Sequence, residues 1–239
     1  PVPAPRPPRQ RPLAKPGEKI RGALKRAHGG TMEIVLDRKP SRSVAAFLVS
    51  QAEGGRRMFL KTARYVGLED VSPRSMDAAL AGEVRMLRLS RTISERPGFP
   101  AQVSIGRFDE FVELSPDLAE DIYGDAVGVP GFLMTLAEGA ALDVYLEAGG
   151  KLSVQDFRAL LDAYKRLHEA GLAHGDVNPG NILVAEKNGK RHFTLLDFGP
   201  AKLRGDRDPQ AWNDVRQADL QGVAAILISF QDAGQLSGF

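Results

Sequence analysis

The chain has 239 residues, 43% hydrophobic and 26% charged, enough to bury the core of one globular unit, including an enzyme built from two lobes. No apolar run approaches the roughly 18–20 residues that cross a bilayer, and no charged-then-apolar leader with a cleavage site opens the sequence. The absence of cysteine excludes disulfides, thiolate nucleophiles and sulfur-based zinc sites, but leaves the compartment open. A start at Pro1 is expected of a piece of a longer polypeptide, from which an address signal could have been removed.

Net charge is +2, unevenly spread: residues 1–28 carry eight Lys or Arg against Glu18 alone, a balance of +7, so the remainder stands at +2 − 7 = −5. The same segment holds seven of the sixteen prolines (Pro1, Pro3, Pro5, Pro7, Pro8, Pro12, Pro16), so residues 1–28 read as an extended, basic linker. A solvated tether is favoured for it over contact with nucleic acid, acidic lipid or a proline-reading domain.

Thr31 to Leu36, Val44 to Ser50 and Arg57 to Thr62 are short β-branched or apolar runs whose separators suit turns between antiparallel strands. From Ser75 to Ser90, Met76, Ala79, Leu80, Val84 and Leu87 recur at helical spacing, with Glu83 beside that face. Strand-like stretches follow near Ala101 to Ile105 and Gly131 to Leu136. Ser153-Val154-Gln155-Asp156 has the form of a capping box, opening a long helix striped by Phe157, Leu160, Leu161, Tyr164 and Leu167 that stops at Gly171. Ile182 to Ala185 and His192 to Phe198 flank Asn188-Gly189, the signal of a tight hairpin. A last helix is expected over about Val215 to Phe230.

Two acidic clusters sit at the mouth of that hairpin: His174-Gly175-Asp176-Val177-Asn178-Pro179-Gly180-Asn181 before it, and Asp197-Phe198-Gly199 after it. A hairpin returns the chain to where it began, so Asp176, Asn181 and Asp197 are expected to converge. Magnesium takes hard oxygen ligands, keeps several waters, and needs only one or two side chains besides nucleotide phosphates. Asn181 and Asp197 can supply them, leaving Asp176 to orient or deprotonate an attacking hydroxyl. A plainer reading makes Asp176 and Asp197 loop caps, which leaves the paired acids unexplained.

Here the sequence resembles the protein-kinase superfamily, in His174-x-Asp176-x-x-x-x-Asn181 and Asp197-Phe198-Gly199. The resemblance implies that Asp176 is the base and that Asn181 and Asp197 hold Mg2+. It makes Lys61, in Phe59-Leu60-Lys61, the lysine that grips the ATP phosphates, and Glu83, 22 residues later, the glutamate that steadies it. Phe132 to Gly139 resembles the strand and hinge between kinase lobes, implying that Met134, Thr135 and Ala137 border adenine. Gln217 to Ala224 resembles the helix whose aspartate, here Asp219, braces the catalytic loop.

The pattern also departs from the family. The loop expected over the phosphates, residues 37–43, has no glycine, so Ser41, Arg42 and Ser43 are assigned to phosphate. An alternative register through His28-Gly29-Gly30-Thr31 needs an extra strand. Gly175 replaces an arginine that reads activation-loop phosphorylation, and Asn178 replaces a lysine near the transferred phosphoryl group. Only 40 residues follow Gly199, with no Ala-Pro-Glu motif, which suggests a minimal kinase.

The expectation is thus an α+β, two-lobed kinase-like fold: a linker to residue 28, an antiparallel-sheet lobe with one helix over 29–137, and a reduced, mostly helical lobe over 138–239. The activity expected is an ATP- and Mg2+-dependent Ser/Thr protein kinase similar to bacterial secreted effector kinases of the OspG, NleH and HopBF types. Such an enzyme would be secreted and act on a protein in a target or host cytoplasm, a chaperone or ubiquitin-pathway protein among the options; nucleic acid is not expected as a partner. The alternatives are a Bud32-like kinase or ATPase of a tRNA-modification complex, cytoplasmic in location, and an ATP-binding pseudokinase.

Overall fold

A computed structural model describes residues 19–37, 46–52, 54–62, 73–124 and 128–237. Four strands come first: β1 (Lys19–Arg26), β2 (Thr31–Asp37), β3 (Ala46–Gln51) and β4 (Arg57–Thr62). Helix α1 (Pro73–Ser94) leads to β5 (Val103–Ile105), β6 (Phe108–Leu114), α2 (Pro116–Tyr123) and β7 (Val129–Thr135). Next come β8 (Ala140–Ala141), α3 (Leu142–Glu147), β9 (Leu152–Ser153), α4 (Val154–Glu169) and β10 (Leu172–Ala173). A hairpin of β11 (Ile182–Lys187) and β12 (Lys190–Leu195) precedes β13 (Lys202–Leu203), α5 (Pro209–Asp232) and β14 (Leu236–Ser237). The fold is mixed α+β with an antiparallel sheet toward its N-terminal side, compatible with a kinase-like fold. No described helix is long and apolar enough to cross a membrane.

The chain divides into two compact units, one of residues 1–80 and 108–136, the other of residues 81–107 and 137–239. In the first, six antiparallel strands close a barrel in the order β1-β2-β3-β4-β7-β6. Closure comes from β1 pairing with β6 at Leu24↔Leu114. Alternation along the strands turns Ile20, Leu24, Ile34, Leu36, Val49, Met58, Leu60 and Leu114 into one apolar core. Helix α2 lies close on β1 at Gly22, where a Cβ would stand 2.7 Å from Leu118 Cδ1. The segment read as linker is therefore strand from Lys19 onward: the proline-rich part ends at Pro16, and Ile20 and Leu24 are buried.

In the second unit α4 and α5 pack through Phe157 and Phe230, whose rings stand 5.7 Å apart. The hairpin forms the centre of a sheet ordered β5-β12-β11-β8, in which β5 runs parallel to β12. Over residues 138–239 the helices α3, α4 and α5 nonetheless hold more of the chain than the strands do. The capping box is present: Ser153 Oγ accepts from Asp156 N–H while Asp156 accepts from Ser153 N–H. Helix α1 runs across the division with Leu80, Val84 and Leu87 buried, but Ala79, assigned to the same face from its spacing, is exposed.

Candidate active site

The hairpin that organises the site turns at Asn188 and Gly189, with φ of 52° and 71°, the left-handed pair that a two-residue turn between twisted strands requires. At the other end Ile182 pairs with Leu195, and Leu196 N–H donates to Asn181 O at 2.9 Å. Those bonds bring the Asp176–Asn181 loop and the start of Asp197-Phe198-Gly199 together, as the hairpin argument expects.

Asp176 is held by amides on both carboxylate oxygens. Asn178 Nδ2 donates to Oδ1 at 3.0 Å and Asn181 Nδ2 donates to Oδ2 at 2.9 Å. Asn181 Nδ2 also reaches the Asp176 carbonyl at 3.0 Å. The nitrogen of Asn181 is thus spent on Asp176, which leaves its amide oxygen as a hard ligand of the kind magnesium takes.

Asp197 has φ of 57°, an uncommon left-handed conformation for a residue with a Cβ, and its Oδ1 accepts from Gly199 N–H at 3.3 Å. Gly199 leaves room for two carboxylates: a Cβ there would stand 3.2 Å from Glu83 Oε2 and 3.3 Å from Asp197 Oδ1. The fold thus brings Glu83, from α1, and Asp197 to the same glycine. Among the described residues no group of three or more His, Cys, Asp or Glu side chains could hold a metal ion. A magnesium ion that keeps waters and phosphates needs no such group, and one carboxylate with one carboxamide oxygen fits it.

Beneath the loop lies a buried polar platform. Asp219 of α5 accepts from His174 N–H at 2.8 Å, from Gly175 N–H at 2.9 Å, and bonds His168 Nε2 at 2.8 Å. Its place under the loop is the one that the helix resemblance implies. His168 is a residue the sequence reading missed; its signal was its place on the α4 stripe, one residue after Leu167 and four after Tyr164. His174 is buried, and its Nε2–H donates to Leu196 O at 2.8 Å while Nδ1 accepts from Asp176 N–H at 3.3 Å. One imidazole therefore joins the segment before Asp197 to the backbone of Asp176. Burial holds its pKa below the ordinary 6.5, against the opposing pull of the Leu196 carbonyl and of Asp219, Asp197 and Asp176, which keeps it neutral.

Glycines set the close approaches. Gly175 has φ of 84°, and a Cβ would stand 2.6 Å from Pro200 O. Gly222 of α5 meets Val177 in the same way: a Cβ there would stand 2.6 Å from the Val177 carbonyl oxygen.

The remaining predicted residues are placed as follows. Lys61, in the first unit, sits on β4 between β3 and β7, opposite Ala46 and Phe132, and is buried. Met134 is buried on β7, and Thr135 Oγ1 donates to Asp109 Oδ1 at 3.0 Å. The chain passes between units at Leu136 and Ala137. Ser41, Arg42 and Ser43 lie outside the described residues. The strand that the alternative phosphate-loop register requires does exist, as β1.

A looped base-like aspartate, an asparagine five residues on, and a strained Asp-Phe-Gly behind a hairpin are features of a protein-kinase-like chain, and similarity to known proteins supports that superfamily. The family model for lipopolysaccharide kinases (Kdo/WaaP) matches residues 133–235. The chain is 33% identical over 123 residues to a probable serine/threonine-protein kinase of Streptomyces coelicolor, which covers 50% of this chain and 17% of that protein. It is 36% identical over 86 residues to the serine/threonine-protein kinase Pkn1 of Myxococcus xanthus, covering 34% of this chain and 12% of that one. To the 3-deoxy-D-manno-octulosonic acid kinase of Pasteurella multocida it is 32% identical over 93 residues, covering 38% of each. The chain thus spans well under half the length of these relatives.

Proposed function

We propose that the chain is an ATP- and magnesium-dependent phosphotransferase whose acceptor is a Ser or Thr hydroxyl of a protein. The observation that carries this reading is the Asp176 carboxylate, held from both oxygens by Asn178 and Asn181 at the mouth of the hairpin that also presents Asp197. Asp176 takes the proton of the acceptor hydroxyl, while Asn181 and Asp197 hold the metal. Lys61 is assigned to the nucleotide phosphates with Glu83 as its support, and Met134, Thr135 and Ala137 to adenine. Ser41, Arg42 and Ser43 are assigned to phosphate on sequence grounds. Magnesium, when bound, offsets charge on the transferred phosphoryl group.

Secretion and action on a target-cell protein are the finer part of this proposal. They draw support from the lack of cysteine and from Gly175, which removes the arginine that would tie activity to a phosphorylated loop. A carbohydrate hydroxyl is the second reading, favoured by the lipopolysaccharide-kinase match, which spans the whole Asp176–Asp197 region.

Purified protein incubated with Mg2+ and radiolabelled ATP decides among them when offered, in separate tubes, eukaryotic lysate, bacterial lysate and lipopolysaccharide. Labelling of a eukaryotic protein that is lost with EDTA, Asp176→Asn or Asp197→Ala is the expected result. Label in lipopolysaccharide alone moves the acceptor to a sugar. ATP turnover without labelling favours an ATPase, and tight Mg-ATP binding without turnover a binding module; either overturns the transferase reading.

A further inference from the structure

We propose that Asn178 is a positioning residue for phosphoryl transfer: its side-chain amide fixes the plane of the Asp176 carboxylate and so decides which oxygen meets the acceptor hydroxyl. The inference rests on the functional reading above and adds a residue to it. Two features of the chain aim this amide. Pro179 follows Asn178 and disfavours the helical region for it, and Asn178 has φ of −146° and ψ of 161°, the extended conformation a pre-proline residue prefers. From there its side chain turns back two residues, with Nδ2 3.0 Å from Asp176 Oδ1 and 3.4 Å from the Asp176 carbonyl. Gly180 then leaves space for the amide's other end, since a Cβ at that position would stand 3.2 Å from Asn178 Oδ1.

The consequence for chemistry is geometric. A carboxylate bonded only by Asn181 at Oδ2 can rotate about its Cβ–Cγ bond. A second donor at Oδ1 removes that freedom while each oxygen keeps a further lone pair for an incoming proton. A base held in one orientation spends less of the barrier on alignment, which affects the chemical step and not nucleotide binding.

The test compares Asn178→Ala with Asn178→Asp in the full chain, measuring ADP release from Mg-ATP and label transfer in the presence of the acceptor fraction that the wild type labels, under single-turnover and steady-state conditions. Positioning by donation predicts that Asn178→Ala lowers kcat about tenfold with KM for ATP unchanged, and that Asn178→Asp is worse. The aspartate keeps the shape but puts an acceptor against an acceptor. Pro179→Ala, which leaves the amide in place but frees its backbone, is expected to give an intermediate loss. A space-filling role predicts the reverse order, with Asn178→Asp near wild type. That order, or a wild-type kcat in Asn178→Ala, overturns the assignment of Asn178 alone. Wild-type protein that turns over no ATP overturns the phosphotransferase reading and this assignment with it.

Discussion

Gly175 combines a left-handed backbone with a carbonyl oxygen where its side chain would be. Replacing it with alanine costs about 1–3 kcal/mol for the conformation alone, and the Pro200 contact adds to that. Gly175→Ala and Gly175→Arg are therefore expected to lower the urea midpoint and to abolish turnover. Restoring the arginine found in many kinases would not restore phosphorylation control, because the loop has no room for it. Asp219, which takes two buried donors and the part-buried Gly175 N–H, gives a second prediction: Asp219→Ala leaves them without this partner and should destabilise by roughly 3 kcal/mol, read from denaturant unfolding.

His174 sets a pH dependence at the same scale. Its folded pKa lies below the ordinary 6.5, so between the two values the unfolded chain binds more protons. The stability it permits is complete above about pH 6.5 and is lost as pH falls toward the folded value. Urea unfolding at pH 7.5 and 5.5 should show that loss in the wild type and a smaller one in His174→Gln. A wild type equally stable at both pH values would falsify this account. Much at this scale was legible, since Asp176, Asn181, Asp197 and Asp219 are conspicuous polar residues in short motifs. The bonds of Asn178 were not: the sequence showed which lysine it replaces but not what its amide would reach.

At the scale of elements, long periodic segments and strong caps announced themselves. Helix α4 begins where its capping box says, and Asp156 also accepts from Arg191 Nη1 at 2.8 Å, tying the helix start to β12. Ser153→Ala should cost about 1 kcal/mol through the cap. Arg191→Met should cost more than an exposed pair would, because Asp156 is buried; thermal denaturation of the two variants tests the ranking. Strand β6 escaped because a register shift between Phe108 and Glu110 breaks the alternation on which a strand is recognised. Helix α2 escaped because eight residues hold barely two turns of stripe, although Ser115 at its N-cap, Pro116 and Gly124 mark both ends.

At the scale of the molecule, composition misled where charge outweighed pattern. Lys19, Arg21, Lys25 and Arg26 made the stretch up to residue 28 look like more of the basic, proline-rich segment. A strand exposed on one face nevertheless tolerates such charges while burying Ile20 and Leu24 on the other. Closure of the barrel depends on this strand, which pairs with β2 and β6. Deleting residues 1–26 should therefore open two edges and lower the thermal midpoint by well over 5 °C, whereas a tether could be removed without effect. Circular dichroism melts of the truncated and full chains measure it.

The hairpin keeps its two ends at the chemistry and its tip away from it. Lys187, Asn188, Gly189 and Lys190 are exposed, and a Cβ at Gly189 would meet nothing within 4 Å. Six residues of strand put that tip about 20 Å from the loop that holds Asp176. It is a natural mount for a dye, an affinity peptide or a cross-linker, carried by the same strands that hold the acids and so reporting their movements without intruding on them.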